Sequence, residues 1–482
     1  MAVMSRGWRI IMVVILITAA VLRLAASRGD LWLDEIWSVC LAAAVTNPLQ
    51  IFTMIPSSNN HHLYTIWLWI MRECDTAWLL RLPSVIAGIG TVYLLGSIAR
   101  RFTADESHGK RAAFVVMFAS AVSYLLTFYG SEARGYSSAI FFSLLALAAV
   151  QRGSMRAMDC RAILFWIGVI AAMLSQLTSL YPLIGIGAWS TLRLFRQNER
   201  GRAIFSAAAW WYSVPAAILV LFYVQCLRNF KIEGAPPWTT SEVYQHLLNF
   251  HFGLPREGPL WIGVAVLIGA TLPGLWALRE RGSDRWVLYA VGILSAPVAL
   301  TTFWTQSVLF ERYFLGGIVL WLLLAAEGAA MLWSKGNLGR VLTAALLITF
   351  AAGQIRCLTP FLKYGRGQFR DALALAVKTT PGEKVTITAS LPPNGLVVMF
   401  HAERDPALIR MSYIRGQEIP PEGPQWKIFS TNSDDEVFPE GIFDPGLNPY
   451  RLMGVFRSGS AGLAGGHWGM YINEKTGFGP RR

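Results

Sequence analysis

Charge is scarce in this chain. Asp, Glu, Lys and Arg make up 15% of its 482 residues, against about 25% in a typical soluble domain. Hydrophobic residues make up 54%, and mean hydropathy is +0.43. A single water-facing globule has no room for that much apolar surface, so lipid is the expected solvent. Cysteine is scarcer still. Cys40, Cys74, Cys160, Cys226 and Cys357 are odd in number and form no CxxC pair or metal-ligand spacing. Cys40 and Cys74 fall in one outer loop and offer a pairing there, while the plainer reading is isolated small apolar residues. The chain also lacks internal repeats, low-complexity tracts and any basic, aromatic-studded soluble module, which excludes a nucleic-acid partner. The formal net charge of +13 therefore matters for where it sits, because Lys and Arg bias loops toward the cytoplasm.

Eleven segments approach the ~20 mostly apolar residues that a membrane helix needs. They are 9–26, 81–99, 112–128, 137–150, 162–178, 179–194, 203–224, 259–277, 286–304, 313–333 and 339–356. With Arg6 and Arg9 placed inside, the inner loops read RRFTADESHGKR, QRGSMRAMDCR, RLFRQNERGR, LRERGSDR and SKGNLGR. The inner segments then hold 18 Lys and Arg. The outer loops ahead of the last helix (27–80, 129–136, 225–258 and 305–312) hold seven. Moving any one helix would invert every later loop, so the asymmetry supports eleven spans. The residues Leu24 to Ser27 also offer a signal-peptide cleavage site, although Arg23 inside the apolar run argues against one.

The run Leu63 to Met71 in HHLYTIWLWIM is about half a span, which suits a helix lying on the outer surface. DEIWSVCLAAAVT reads likewise, with Ile36, Val39, Cys40 and Ala43 on one face. Trp32, Trp37, Trp67 and Trp69 fit an aromatic belt. After a transmembrane domain over 1–360, proline and glycine rise and apolar runs shorten. GQFRDALALAVKTT has helical period, while KVTITAS and WKIFST alternate like strands. The expected fold is an α-helical polytopic membrane protein of about 11 transmembrane helices, with interfacial helices in its first outer loop. A small extracytoplasmic α/β domain over 361–482 follows.

Ionisable groups near membrane helices are costly to desolvate, and four clusters fall at the outer interface. They are Asp34 with Glu35; His61, His62 and Tyr64 in SSNNHHLY; Glu132, Arg134 and Tyr136 in YGSEARGYS; and Glu311, Arg312 and Tyr313 in FERYFLG. Each has a plainer reading. Acids favour a helix start, histidines wet an interface, and Glu–Arg neighbours make structural ion pairs. The joint placement points to one site.

These segments resemble the integral-membrane glycosyltransferases of the GT-C fold, in the branch of the protein O-mannosyltransferases and aminoarabinose transferases. LDEIWSV looks like the family's Asp-Glu pair after the first helix. WLLRLPSVIAGIGTVYLLGSIARR is similar to its second helix, YGSEARGYS to its second outer loop and ERYFLG to a later arginine-tyrosine turn. NNHHLYTIWLW departs from it by carrying HHLY where prolines are usual. The resemblance implies transfer of a sugar from a polyprenyl-phosphate donor to an acceptor hydroxyl on the extracytoplasmic side, with inversion. It assigns the general base to Asp34, with Glu35 orienting it or binding acceptor. Inverting sugar chemistry needs such a carboxylate opposite the leaving group. Arg134 and Arg312 would face the donor phosphate, assisted by His61 or His62, within a pocket that includes Tyr64, Glu132, Tyr136, Glu311 and Tyr313. The implied partners are the lipid-linked donor, a glycan, lipid or protein acceptor, and the bilayer of a cell inner membrane. No cofactor is expected, although Glu132, Glu311 and a histidine offer ligands to a divalent metal.

Three other readings compete. A non-catalytic assembly protein that uses its outer domain for binding would have little need of Asp34. A transporter or flippase for a lipid-linked sugar would bury charges in mid-helix and carry inverted repeats, and the spans read as clean of such charges. An oligosaccharide ligase or polymerase would differ mainly in the size of its donor.

Overall fold

A computed structural model describes residues 6–152, 155–197, 201–231, 239–302, 309–433 and 436–476. Each of the eleven apolar segments forms a helix. They are Arg6–Ala26, Leu82–Arg101, Glu106–Val122, Tyr136–Gln151, Arg161–Ser175, Leu180–Gln197, Gly201–Gln225, Leu260–Glu280, Trp286–Thr302, Leu315–Ser334 and Asn337–Tyr364. Among the described residues six stretches are long and apolar enough to cross a membrane: Arg6–Ala26, Leu82–Arg101, Gly201–Asn229, Leu260–Glu280, Glu311–Ser334 and Asn337–Thr379. Tyr136–Gln151, Arg161–Ser175 and Trp286–Thr302 are shorter apolar helices. Residues 303 and 304 of the expected span 286–304 lie outside the described residues. The surface segments are helical as well, at Leu33–Ala43 and His62–Ile70.

Three expectations need correction. The third span is expected at 112–128, but its helix starts earlier because Asp105 caps it, accepting from the Ser107 and His108 backbone amides. It stops at Val122, where Ser123 turns extended and caps a new short helix, Tyr124–Tyr129. On Leu33–Ala43, Ile36 and Val39 are buried but Ala43 is exposed, and Ala42 takes the inward position instead. The spans are also not free of buried charge. Arg23 and Glu327 are both inside, at 0% and 1% exposure.

Each buried charge is matched. Arg23 donates to the carbonyls of Ala19, Ala121 and Ser120, the last at 3.1 Å. It thereby satisfies orphan carbonyls at the end of helix Glu106–Val122. Glu327 accepts from Arg285 and from the Tyr289 hydroxyl at 3.1 Å, with Arg281 at 3.5 Å. Removing one partner of such a pair strands the other, at a cost of about 3–5 kcal/mol. Glu327→Ala is expected to lose that much stability. The double variant Glu327→Leu/Arg285→Met should recover most of it, as read by thermal unfolding in detergent.

Glycines let the helices approach closely, as membrane packing favours. A Cβ on Gly168 would lie 2.7 Å from the Ala146 backbone nitrogen, and one on Gly328 would lie 2.8 Å from the Pro273 carbonyl carbon. Ile15, Ala19, Val92, Met117 and Ala121 form one of the resulting apolar clusters.

The chain divides into two compact units. The first is Met1–Ala25, Leu41–Met71 and Leu80–Cys357, and the second is Ala26–Cys40, Arg72–Leu79 and Leu358–Arg482. The second unit contains a six-stranded mixed sheet of β1 (Val385–Ala389), β2 (Met411–Tyr413), β3 (Trp426–Thr431), β4 (Gly441–Phe443), β5 (Pro449–Phe456) and β6 (His467–Asn473). Its order is β2-β1-β3-β6-β5-β4. β1 runs parallel to β2 and β3, and the other pairings are antiparallel. The parallel β1–β2 pair needs a crossover, supplied by helix Asn394–Arg404. Val385, Ile387, Trp426, Ile428, Trp468 and Met470 fill the core of this unit.

Candidate active site

In the first unit the site is built around the turn between Tyr129 and Tyr136. Ser131 Oγ donates to the Thr127 carbonyl at 2.8 Å, which tightens the exit from the short helix. Gly135 is required for the turn's position. A Cβ there would run into the Ser175 carbonyl and come within 3.1 Å of His61 Cβ. The turn fixes Arg134 from both ends. Its carbonyl accepts from Ser84 Oγ at 2.9 Å, and its Nη2 donates to Asn59 Oδ1 at 2.6 Å. Its Nη1 lies 3.6 Å from Glu132 Oε1, and both side chains are buried. The Tyr64 hydroxyl reaches the same turn at the Glu132 carbonyl, 3.5 Å away, while donating to the Leu80 carbonyl at 2.8 Å.

Tyr136 is the hub. The Arg134 and Arg312 guanidiniums lie 5.0 and 5.9 Å from its ring centre, and the His61 ring lies 5.1 Å away, edge-on. Arg312 is half-buried and stacks 3.8 Å over Phe310, with the Tyr313 ring 5.9 Å off. A narrow cleft opens from here between Tyr136, Gln176, Ser179, Pro182, Arg312 and Gly316.

The two histidines differ. His61 Nδ1 lies 3.1 Å from the Ser175 carbonyl and is the protonated nitrogen. Nε2 therefore carries the lone pair, buried and without a hydrogen-bond partner among the described residues. Burial, reinforced by the nearby Arg134 charge, pushes the His61 pKa well below the usual range. The ring is neutral at pH 7 and acts as an acceptor. His62 turns away, with its ring centre 4.8 Å from that of Phe222 and 5.2 Å from that of Phe52. Asn60 Nδ2 lies 3.3 Å from its Nε2, and burial lowers its pKa to about 4. His62 is packing and His61 faces Tyr136.

Glu311 meets a residue outside the four sequence clusters, His246. Its Oε1 lies 3.2 Å from His246 Nδ1, and Arg256 Nε donates to His246 Nε2 at 3.4 Å. His246 sits on helix Thr240–Phe252, within the expected outer loop 225–258. The signals were present. Thr239 and Glu242 form a reciprocal capping box, and Gly253 closes the helix in the left-handed conformation.

Asp34 and Glu35 belong to the second unit and occupy the first turn of helix Leu33–Ala43. Glu35 is fully buried, and its Oε2 accepts the Trp32 amide at 3.2 Å, closing the helix start. Asp34 is half-buried. Glu35 thus carries a structural contact, and Asp34 is the more accessible carboxylate.

No family model and no curated protein matches this chain. Solved structures do, among them two of one protein. ArnT from Cupriavidus metallidurans in the apo state aligns over 98% of this chain and 99% of its own, at TM-score 0.52 and 12% identity. The same protein bound to undecaprenyl phosphate aligns over 99% of this chain and 100% of its own, at TM-score 0.51 and 13% identity. The GT-C-like fold expected from the sequence is the fold of this chain, end to end.

Proposed function

We propose that the chain transfers a sugar from a polyprenyl-phosphate-linked donor to an acceptor hydroxyl, with inversion at the anomeric carbon. The observation that carries this reading is the full-length likeness to an ArnT structure that holds undecaprenyl phosphate. Two guanidiniums gathered on Tyr136 suit a phosphate there.

The acceptor oxygen forms its bond to the anomeric carbon as the bond from that carbon to the phosphate oxygen breaks. The lipid phosphate leaves with the electron pair, and the hydroxyl proton passes to the Asp34 carboxylate. Asp34 suits the role because it stands in the first turn of a helix and is the less buried of the two carboxylates. Arg312 and Arg134 offset charge growing on the leaving phosphate, where lipid offers no solvation. Phosphate needs no general acid to leave. The His61 Nε2 lone pair accepts from a sugar hydroxyl, so His61 reads the sugar rather than the phosphate. Glu132 and Glu311 are engaged by Arg134 and His246. Among the described residues no group of three or more His, Cys, Asp or Glu is placed to hold a metal. The charge asymmetry of the loops supports an extracytoplasmic side for the chemistry and the C-terminal domain.

The test is to incubate the purified full chain with a panel of radiolabelled polyprenyl-phosphate sugars and with membrane extracts as acceptor source. Label moving from lipid to a non-lipid-phosphate product is the expected result. Labelled donor crossing vesicles with no transfer would replace this reading with a flippase.

A further inference from the structure

We infer that Asp30 is a positioning residue for Asp34, and that the C-terminal domain acts on the reaction by clamping the first outer loop at that point. The inference rests on the proposed role of Asp34.

Helix Phe369–Thr379 starts without a cap of its own, since Gln368 makes no side-chain capping bond. Its first amides need an acceptor. Asp30, 340 residues earlier, supplies it, with Oδ2 accepting the Arg370 amide at 2.8 Å. Its Oδ1 lies 3.6 Å from Arg370 Nε, and Arg370 Nε also donates to His401 Nδ1 at 3.4 Å. An anion at the positive end of a helix is stabilised there. A second tie lies four residues upstream, where the buried Arg366 donates to the Ala26 carbonyl at 3.3 Å. Helix Asn394–Arg404, which carries His401, also bears Arg404. Arg404 donates to Asp75 Oδ1 at 2.7 Å and to the Arg72 carbonyl at 3.5 Å. The exposed Arg404–Asp75 pair adds little hold. The half-sheltered Asp30, bonded to a main-chain amide, carries more.

Asp34 follows Asp30 by four residues and stands in the first turn of the next helix. Fixing Asp30 therefore limits where that turn starts. A displacement of about 1 Å is enough to cost on the order of 10²-fold in rate.

Hydrogen exchange by mass spectrometry on the full chain in nanodiscs, read over residues 31–37, measures the clamp without reference to catalysis. Asp30→Ala should speed exchange there by several-fold, up to about tenfold, the scale of losing one cap. In the transfer assay it should lower kcat by ~10–100-fold and leave donor KM unchanged. Asp30→Asn keeps a capping acceptor and should restore most of both, and it serves if the alanine variant fails to fold. Unchanged exchange in both variants would overturn the clamp. Faster exchange with normal kcat would overturn the positioning role. If the wild-type chain transfers no sugar, the function proposal fails, and the exchange measurement still decides the clamp.

Discussion

Asp34→Asn is expected to express and bind donor like the wild type and to lose transfer by about 10²–10⁴-fold, the usual worth of general-base assistance. The amide matches the carboxylate in shape and is a very poor base. It can also take the first-turn position of helix Leu33–Ala43, so the fold is not at stake. Glu35→Gln is the paired control. Glu35 is buried and accepts the Trp32 amide. A glutamine oxygen can keep that bond, so the rate should fall by no more than about tenfold, the loss of the charge's share of the contact. Single-turnover transfer with preloaded donor separates these outcomes from donor binding. Full activity in Asp34→Asn beside a dead Glu35→Gln would reverse the two roles. Full activity in both would reduce the pair to a helix start.

The features legible in sequence were those carried by local pattern. Apolar run length placed all eleven helices, and two-residue alternation placed Val385–Ala389 and Trp426–Thr431 as strands. The half-span runs became short surface helices for the same reason. Features that depend on distant partners stayed hidden. Nothing near Asp30 announces that it caps a helix 340 residues later. Nothing in HHLY says which histidine turns toward Tyr136, because that follows from Ser175 holding His61 and from Phe52 and Phe222 enclosing His62. Glu327 is hidden because one carboxylate barely lowers the hydropathy of a span, and its partner Arg285 lies in a separate inner loop. Helix Thr240–Phe252 differs: its capping box is local and readable, but it lies inside a long outer loop whose hydropathy marks no span, so hydropathy alone does not place His246.

Arg312 is the residue whose loss should most weaken donor use, and its surroundings separate it from Arg134. Arg134 is buried and committed, with one nitrogen on Asn59 and another near Glu132. Replacing it by Lys strands a buried carboxylate and an amide oxygen, so Arg134→Lys should first lower stability. Arg312 instead lies flat on Phe310, is half-buried, and lines the cleft that opens beside Tyr136. Stacking of this kind suits a planar guanidinium, whose fork matches phosphate geometry in a way lysine cannot reproduce. Arg312→Lys should fold normally, keep a reduced kcat and need about tenfold more donor for half-maximal rate, the loss of bidentate contact. Arg312→Ala also removes the charge opposite the leaving phosphate and should cost about 10²–10³-fold in kcat. Transfer measured across a donor concentration series, with thermal unfolding alongside, tells these cases apart. A lysine variant with an unchanged donor dependence and an alanine variant with an unchanged kcat would leave Arg312 as an aromatic-packed structural residue, and the donor phosphate would have to be held elsewhere.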